Sequence, residues 1–350
     1  MEFMLQRIAY RFPAVRLLMA LLALVLVWSG PLTAPVSAAE PSEASEPVPG
    51  AELWRAIRQG GSGFTNSPDP EHGNLINTGG ETWRQTRNGP VSDFGKWILA
   101  VVVLAIALVF AIRGRIKVEK GFSGKTIERW TSADRIIHWY VAVLFVVLGL
   151  TGLSFLYGKA ILIPVMGAEG FAVWAALAKT LHNYGGPLFI VGLVLMIAKW
   201  LRHNGFSKTD VVWLAKGGGI LTKAHPSAGY LNAGEKLWFW LVVIAGIGVS
   251  VTGLILDFPN FGQTRDTMQQ ANILHSIFAL VIFSVFLGHV YIATLGTEGA
   301  LEGMISGQVD VEWAKQHHDL WYEEVSRGTA EVPAEQEAAS EAPPGKPATT

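Results

Sequence analysis

The chain has 350 residues, of which 50% are hydrophobic and only 16% charged, with a formal net charge of −1. That balance argues against a nucleic-acid or acidic-substrate partner, and a mean hydropathy of +0.34 points to the membrane. Cysteine is absent, which removes disulfides, thiolate-held iron–sulfur clusters and thioether-attached cofactors.

Residues 1–39 carry Arg7, Arg11 and Arg16, the apolar run Leu17–Trp28 and the small-residue pattern Val36-Ser37-Ala38. This reads as a removable signal peptide rather than a span, because the apolar run is shorter than the ~20 residues a crossing needs. Residues 40–95 are rich in Pro, Gly, Ser and Asn, with turns at Ser67-Pro68-Asp69-Pro70, Gly79-Gly80 and Asn88-Gly89-Pro90. They are expected to form a periplasmic extension in which Trp54, Phe64 and Trp83 are candidate anchors onto a partner, although scattered aromatics more often pack locally or sit at the membrane interface, and His72 stays at the surface.

Apolar segments at about 97–112, 136–157, 182–201, 236–257 and 272–295 are each long enough, or nearly so, to cross a bilayer. Seven Lys and Arg fall in 113–135 and six in 199–236, against two (Lys159, Lys179) and one (Arg265) in the alternating connections. Short cytoplasmic loops retain positive charge, so the mature N-terminus is expected outside and the C-terminus inside. The tail 326–350 has almost no large apolar residues and is expected to be disordered.

Ionisable groups at membrane depth are rare and usually functional. His275 and His289 lie fourteen residues apart in one span, about 21 Å of helical rise and about 40° short of four full turns. They leave one face near opposite ends of the span. With the charge-derived topology, His138 falls near the inner end of the second span and His182 opens the third on the outer side. The histidines thus sort into an inner pair, His138 with His289, and an outer pair, His182 with His275.

Paired histidines facing across a helix bundle are a ligand set for b-type haem, whereas zinc or copper calls for more converging ligands than this chain offers there. Gly149, Gly152, Gly185, Gly186, Gly192, Gly246, Gly248, Gly253 and Gly288 are available to let a macrocycle approach the backbone, although glycine also serves ordinary helix contacts in membranes. Arg129 and Arg135 on the inner side and Lys179 on the outer side are candidate propionate partners. His203, His225, His317 and His318 lie in loops or the tail and are poor ligand candidates. A proton relay or simple packing by the same histidines stays open at this point.

Residues about 125–325 resemble the cytochrome b membrane (gamma) subunit of quinone-linked bacterial formate dehydrogenases. The resemblance rests on Asp134-Arg135-Ile136-Ile137-His138-Trp139, Leu181-His182, Tyr230-Leu231-Asn232-Ala233-Gly234-Glu235-Lys236, Val251-Thr252-Gly253, the His275 and His289 pair, and Gly303-Met304-Ile305, Trp313-Ala314-Lys315, His317-His318 and Trp321-Tyr322 in the tail. It implies an all-α integral membrane protein: a four-helix domain over 114–325 holding two haem b, plus an extra N-terminal transmembrane helix at 96–113. His138 and His289 would ligate the inner haem, and His182 and His275 the outer one. The resemblance also implies a quinone site (menaquinone or ubiquinone) formed by Asn232, Gly234 and Glu235. The family's usual residue at the last position is Gln; an acid there is able to pass a proton or to cap a helix.

The implied partners are a periplasmic iron–sulfur (beta) subunit, a molybdenum- or tungsten-containing catalytic (alpha) subunit where formate is oxidised, the quinone pool and lipid of the bacterial inner membrane. The rivals are the same cytochrome serving a hydrogenase or another molybdoenzyme, and a non-redox membrane anchor.

Overall fold

The structure is a computed structural model that describes residues 50–59, 78–220, 222 and 224–328. The signal peptide, Phe64, His72 and the tail from 329 onward lie outside the described residues. Helices α1 (Gly50–Arg58), α2 (Thr78–Thr86), α3 (Ser92–Arg113), α4 (Ser132–Ile161) and α5 (Ile163–Trp200) are followed by α6 (Lys208–Ala215), α7 (Ala233–Asp257), α8 (Arg265–Tyr291), α9 (Ala300–Ser306) and α10 (Val311–His317). A further helical stretch covers 319–328, so the chain stays helical past 325. Among the described residues, five helical runs, Gly79–Arg113, Ser132–Ile161, Ile163–His203, Ala233–Asp257 and Arg265–Gly296, are long and apolar enough to cross a membrane. The chain is thus the expected all-α membrane protein with an added N-terminal span.

The third span differs from its expected extent. Instead of opening at His182, α5 begins at Ile163 and is broken only at Gly167, whose φ of 74° no other residue type adopts easily. Residues 168–181 are rich in Ala, Leu and other helix formers, so a single Lys179 does not end the helix. His182 therefore sits fifteen residues beyond the break, well inside α5.

The chain divides into two compact units, residues up to 90 with 251–274, and 91–250 with 275 onward. Within the first, Trp83 Nε1 donates to Asn272 Oδ1 at 3.2 Å, and Arg84 pairs with Glu81. Trp54 is exposed.

In the second unit, α5 packs against α4 and α7 through small residues, as membrane helices do when backbones must come close. A Cβ on Gly192 would lie 2.8 Å from Tyr140 and Val141, and one on Gly246 3.1 Å from Leu193. The Tyr140 hydroxyl donates to Leu188 O at 2.9 Å. The added helix α3 is docked at both ends: Tyr157 donates to Ser92 O at 2.9 Å, and Phe110 meets Tyr291 edge-on. A Cβ at Gly95 would stand 2.5 Å from the Tyr157 hydroxyl and 2.6 Å from Leu280 Cδ1. Gly95→Leu is therefore expected to loosen α3 at a cost of about 1–3 kcal/mol, read as a lower thermal midpoint of the purified protein. An unchanged midpoint would mean that α3 does not pack there.

Beyond the spans, the segment before α4 and the tail fold together. Strand β1 (Thr126–Glu128) pairs antiparallel with β2 (Gln308–Asp310), and Val118, Val309, Trp313, Ala314 and Trp321 form a buried cluster beneath them. The tail aromatics thus build a cap over one end of the bundle.

Candidate functional site

The position of His138 is set by the start of α4, where Thr131 and Asp134 form a reciprocal capping box. Trp139 Nε1 donates to Met304 O at 2.9 Å, fixing the same turn to α9. His289 lies in the last turn of α8, just before a π-helical turn at Ile292–Gly296. The imidazole centroids of His138 and His289 are 6.4 Å apart, and those of His182 and His275 are 6.1 Å apart. Phe145 packs against Phe189, Phe283 and Phe286, and the two α8 phenylalanines fall between the two pairs in sequence.

These spacings test the fit of haem. An imidazole nitrogen lies about 1.1 Å from its ring centre and a metal–imidazole bond is about 2.0–2.1 Å, so two rings on opposite sides of one iron have centres about 6.3 Å apart. Both pairs meet that requirement. Among the described residues, no group of three or more His, Asp or Glu side chains is arranged to hold a metal ion, so the pairs suit a metal whose other ligands come from a macrocycle.

The surrounding groups fit as well. Thr151, buried within the bundle, donates from Oγ1 to Val147 O at 2.7 Å and accepts from His182 Nδ1 at 2.8 Å. That bond fixes the tautomer and leaves Nε2 for a ligand, the usual arrangement behind a metal-bound histidine. His275 bonds the Val249 backbone. Trp238 stacks on His289 at 5.0 Å and 14°. His138 Nδ1 is buried without a hydrogen-bond partner among the described residues.

The glycines divide by surroundings. Gly149 and Gly248 accept Phe283 and Phe278, at 2.6 Å from a notional Cβ, while Gly186 and Gly288 face open space. Gly288 lines a cavity of about 730 Å³ bounded by His138 and His289, within the range of about 300–1,000 Å³ of cofactor and ligand sites.

Asn232, Gly234 and Glu235 form part of the wall of this cavity. Asn232 and Glu235 cap the start of α7 reciprocally: Glu235 N donates to Asn232 Oδ1 at 3.0 Å, and Asn232 N donates to Glu235 Oε2 at 2.9 Å. Arg129 Nη2 donates to Glu235 Oε1 at 2.9 Å and to Tyr230 O at 3.1 Å. Arg135 bonds Ile305 O and Ser132. The carboxylate of Glu235 is therefore an acceptor shared between a helix cap and a buried guanidinium.

Sequence reasoning passed over Thr151, Trp238 and the two tail histidines. His318 is fully buried, bonds Gly229 O through Nδ1 at 2.7 Å, and faces Glu235 Oε2 at 3.9 Å. Burial, then the Arg129 charge, pushes His318 down to about 4 against the pull of Glu235 and Asp319; burial, then His318, His225 and Arg129, takes His317 to about 3. Unfolded tail binds protons near pH 6.5 while the folded tail does not, so stability is full above about 6.5 and falls as pH drops toward 4. Protection factors of residues 311–322 against hydrogen exchange are expected to fall over that window, and to fall less in His318→Gln, where His317 alone still titrates. Equal protection at pH 4.5 and 7.5 would show that the cap does not depend on neutral histidines.

Residues 129–307 match the prokaryotic cytochrome b561 family. The chain is 32% identical over 214 residues to the formate dehydrogenase cytochrome b556(fdo) subunit of Escherichia coli K12, covering 60% of this chain and 98% of the relative. It is 30% identical over 219 residues to the nitrate-inducible cytochrome b556(Fdn) subunit of the same strain, covering 61% and 97%. It is 30% identical over 215 residues to the formate dehydrogenase cytochrome b556 subunit of Haemophilus influenzae, covering 59% and 87%.

Proposed function

The chain belongs to the prokaryotic cytochrome b561 family, and from that premise we propose that it is the two-haem cytochrome b subunit of a formate dehydrogenase, delivering electrons to quinone. The observation that carries this reading is the pair of imidazole spacings, 6.4 and 6.1 Å, set about 21 Å apart along α8. The similarity to formate dehydrogenase cytochromes over nearly their whole length supports the choice of donor.

Haem b, when bound, carries one electron at a time. His182 and His275 hold the outer group and His138 and His289 the inner one, with Thr151 fixing the ring of His182. Electrons come from formate, oxidised in a molybdenum- or tungsten-containing subunit, through an iron–sulfur subunit on the periplasmic side. Quinone, menaquinone or ubiquinone, binds in the inner cavity against Asn232, Gly234 and Glu235. It takes two electrons and two protons, one proton on each oxygen, to become quinol. Charge then moves inward while protons leave the cytoplasm, which builds membrane potential. The orientation rests on the Lys and Arg counts, with the chain in the inner membrane, its N-terminus periplasmic and its C-terminus cytoplasmic.

Glu235 serves here as the acceptor that ties Asn232 and Arg129 into the wall. Gln keeps one such oxygen and Ala keeps none. Glu235→Gln is therefore expected to keep quinol formation within a few-fold of the parent. Glu235→Ala strands a guanidinium that is only 4% exposed and is expected to slow quinol formation at least about tenfold, since an unpaired buried charge costs several kcal/mol. Loss of quinol formation in Glu235→Gln, with the haems still reducible, would instead make Glu235 a proton donor.

The test of the whole reading is to purify the complex through a tag on this chain and add formate. Reduction of b-type haem followed by quinol formation is expected. Haems that stay oxidised with formate but reduce with hydrogen would assign the cytochrome to another dehydrogenase.

A further inference from the structure

The wall of the inner cavity carries N–H donors that the protein does not satisfy. Arg113 Nε, Arg129 Nε and Trp313 Nε1 are all buried without a hydrogen-bond partner among the described residues, and all three residues line the cavity shared with His138 and His289. The Arg129 guanidinium lies 5.1 Å from the Trp313 ring, so two of these donors are neighbours. A buried N–H without an acceptor costs on the order of 1–3 kcal/mol. Three on one cavity wall, two of them on guanidinium cations, suit an occupant rich in anionic oxygen. Glu235, the carboxylate beside them, already accepts from Nη2 of Arg129.

Arg113 is the last residue of α3, the added span, and lies outside the residues 129–307 matched by the family. Arginine at a span end ordinarily marks topology and reaches toward water. Here its Nε is enclosed on the cavity wall, and α3 is fixed by Phe110 against Tyr291, two residues after His289. A planar guanidinium fork matches a carboxylate in shape and charge.

We infer that Arg113, with Trp313 beside Arg129, binds the propionate carboxylates of the inner haem, so that the added helix completes a cofactor pocket besides anchoring the chain. This rests on the two-haem reading above. A guanidinium on the propionates offsets their negative charge and favours the electron-bearing state; its removal lowers the affinity of that haem for an electron.

The test uses the full chain purified with its complex, comparing wild type, Arg113→Gln and Arg113→Lys by pyridine haemochrome and by spectroelectrochemical titration. The expected result is two haems in each protein, with one midpoint potential shifted negative in Arg113→Gln, the other unmoved, and Arg113→Lys close to wild type. A Trp313→Phe variant is expected to shift the same haem by less. Two haems with both potentials unmoved in Arg113→Gln overturn the assignment and leave Arg113 a topology signal. Unmoved potentials together with loss of a co-purifying anionic phospholipid overturn it in favour of a lipid headgroup. Absence of haem from wild type removes both this inference and the two-haem reading, which distinguishes the two failures.

Discussion

Replacing His275 with alanine is expected to remove the outer haem and stop electron transfer across the membrane while leaving the inner haem in place. Among the described residues His275 is paired with His182, 6.1 Å away, so under the proposed two-haem reading the variant would leave the outer iron a single protein ligand. The inner pair lies about 21 Å further along α8 and shares no side chain with it. Haem per chain should fall by about half, since a non-covalent haem depends on its axial ligands and packing. Formate should then fail to reduce the remaining haem, while dithionite still does. Retention of two low-spin haems, or loss of both, would contradict the assignment of separate pairs.

Breaking the buried ion pair between Lys236 and Asp210 has the next largest expected effect. Lys236 Nζ lies 2.8 Å from Asp210 Oδ2, with side chains 10% and 5% exposed, and joins the first turn of α7 to α6. Lys236→Met leaves the buried carboxylate without its counter-charge, held only by the bonds from Ser207, a change that costs about 3–5 kcal/mol. The thermal midpoint should drop and quinol formation should slow, because Trp213 of α6 packs over Gly234 in the cavity wall. Asp210→Leu combined with Lys236→Met should recover most of the loss. If the double variant is as unstable as the single, the pair is not the clamp.

The pH dependence of this clamp has the opposite origin to that of the tail histidines but the same sign. Burial would raise the Asp210 carboxyl, but the Lys236 bond and the bonds from Ser207 together hold it below the usual carboxylate range. A depressed carboxyl contributes stability fully above its unfolded pKa of about 4, and loses it as pH falls through the lower folded value. The tail cap is therefore expected to loosen first on acidification, between about 6.5 and 4, and the clamp only below that.

Much of the architecture is legible in the sequence because its signals are strong ones. Five long apolar runs and the period of α8 mark the spans and the pairing of the histidines without tertiary knowledge. His138, His182, His275 and His289 stand out because an ionisable group in hydrocarbon needs a reason.

Other features depend on partners far away in the chain. The extent of α5 was obscured because Lys179 looks like a loop signal until the helix formers of 168–181 are seen to continue through it. The two kinds of glycine cannot be separated by sequence: Gly149 receives Phe283 and Gly288 faces open space, and only packing tells them apart. The acid at 235 is compatible in sequence with either a proton donor or a helix cap, and the reciprocal bonds between Asn232 and Glu235 show the cap. Arg129 is the partner that sequence spacing does not show, 106 residues from Glu235. The burial of His317 and His318 is not legible in the tail, because nothing local predicts that β2 will fold them under the cap.

The most direct test of the account is haem stoichiometry: a dithionite-reduced minus oxidised spectrum of the purified protein with pyridine haemochrome quantitation. The two imidazole pairs predict close to two b-type haems per chain. A value of one would contradict one pair, and a protein without haem would contradict the account as a whole.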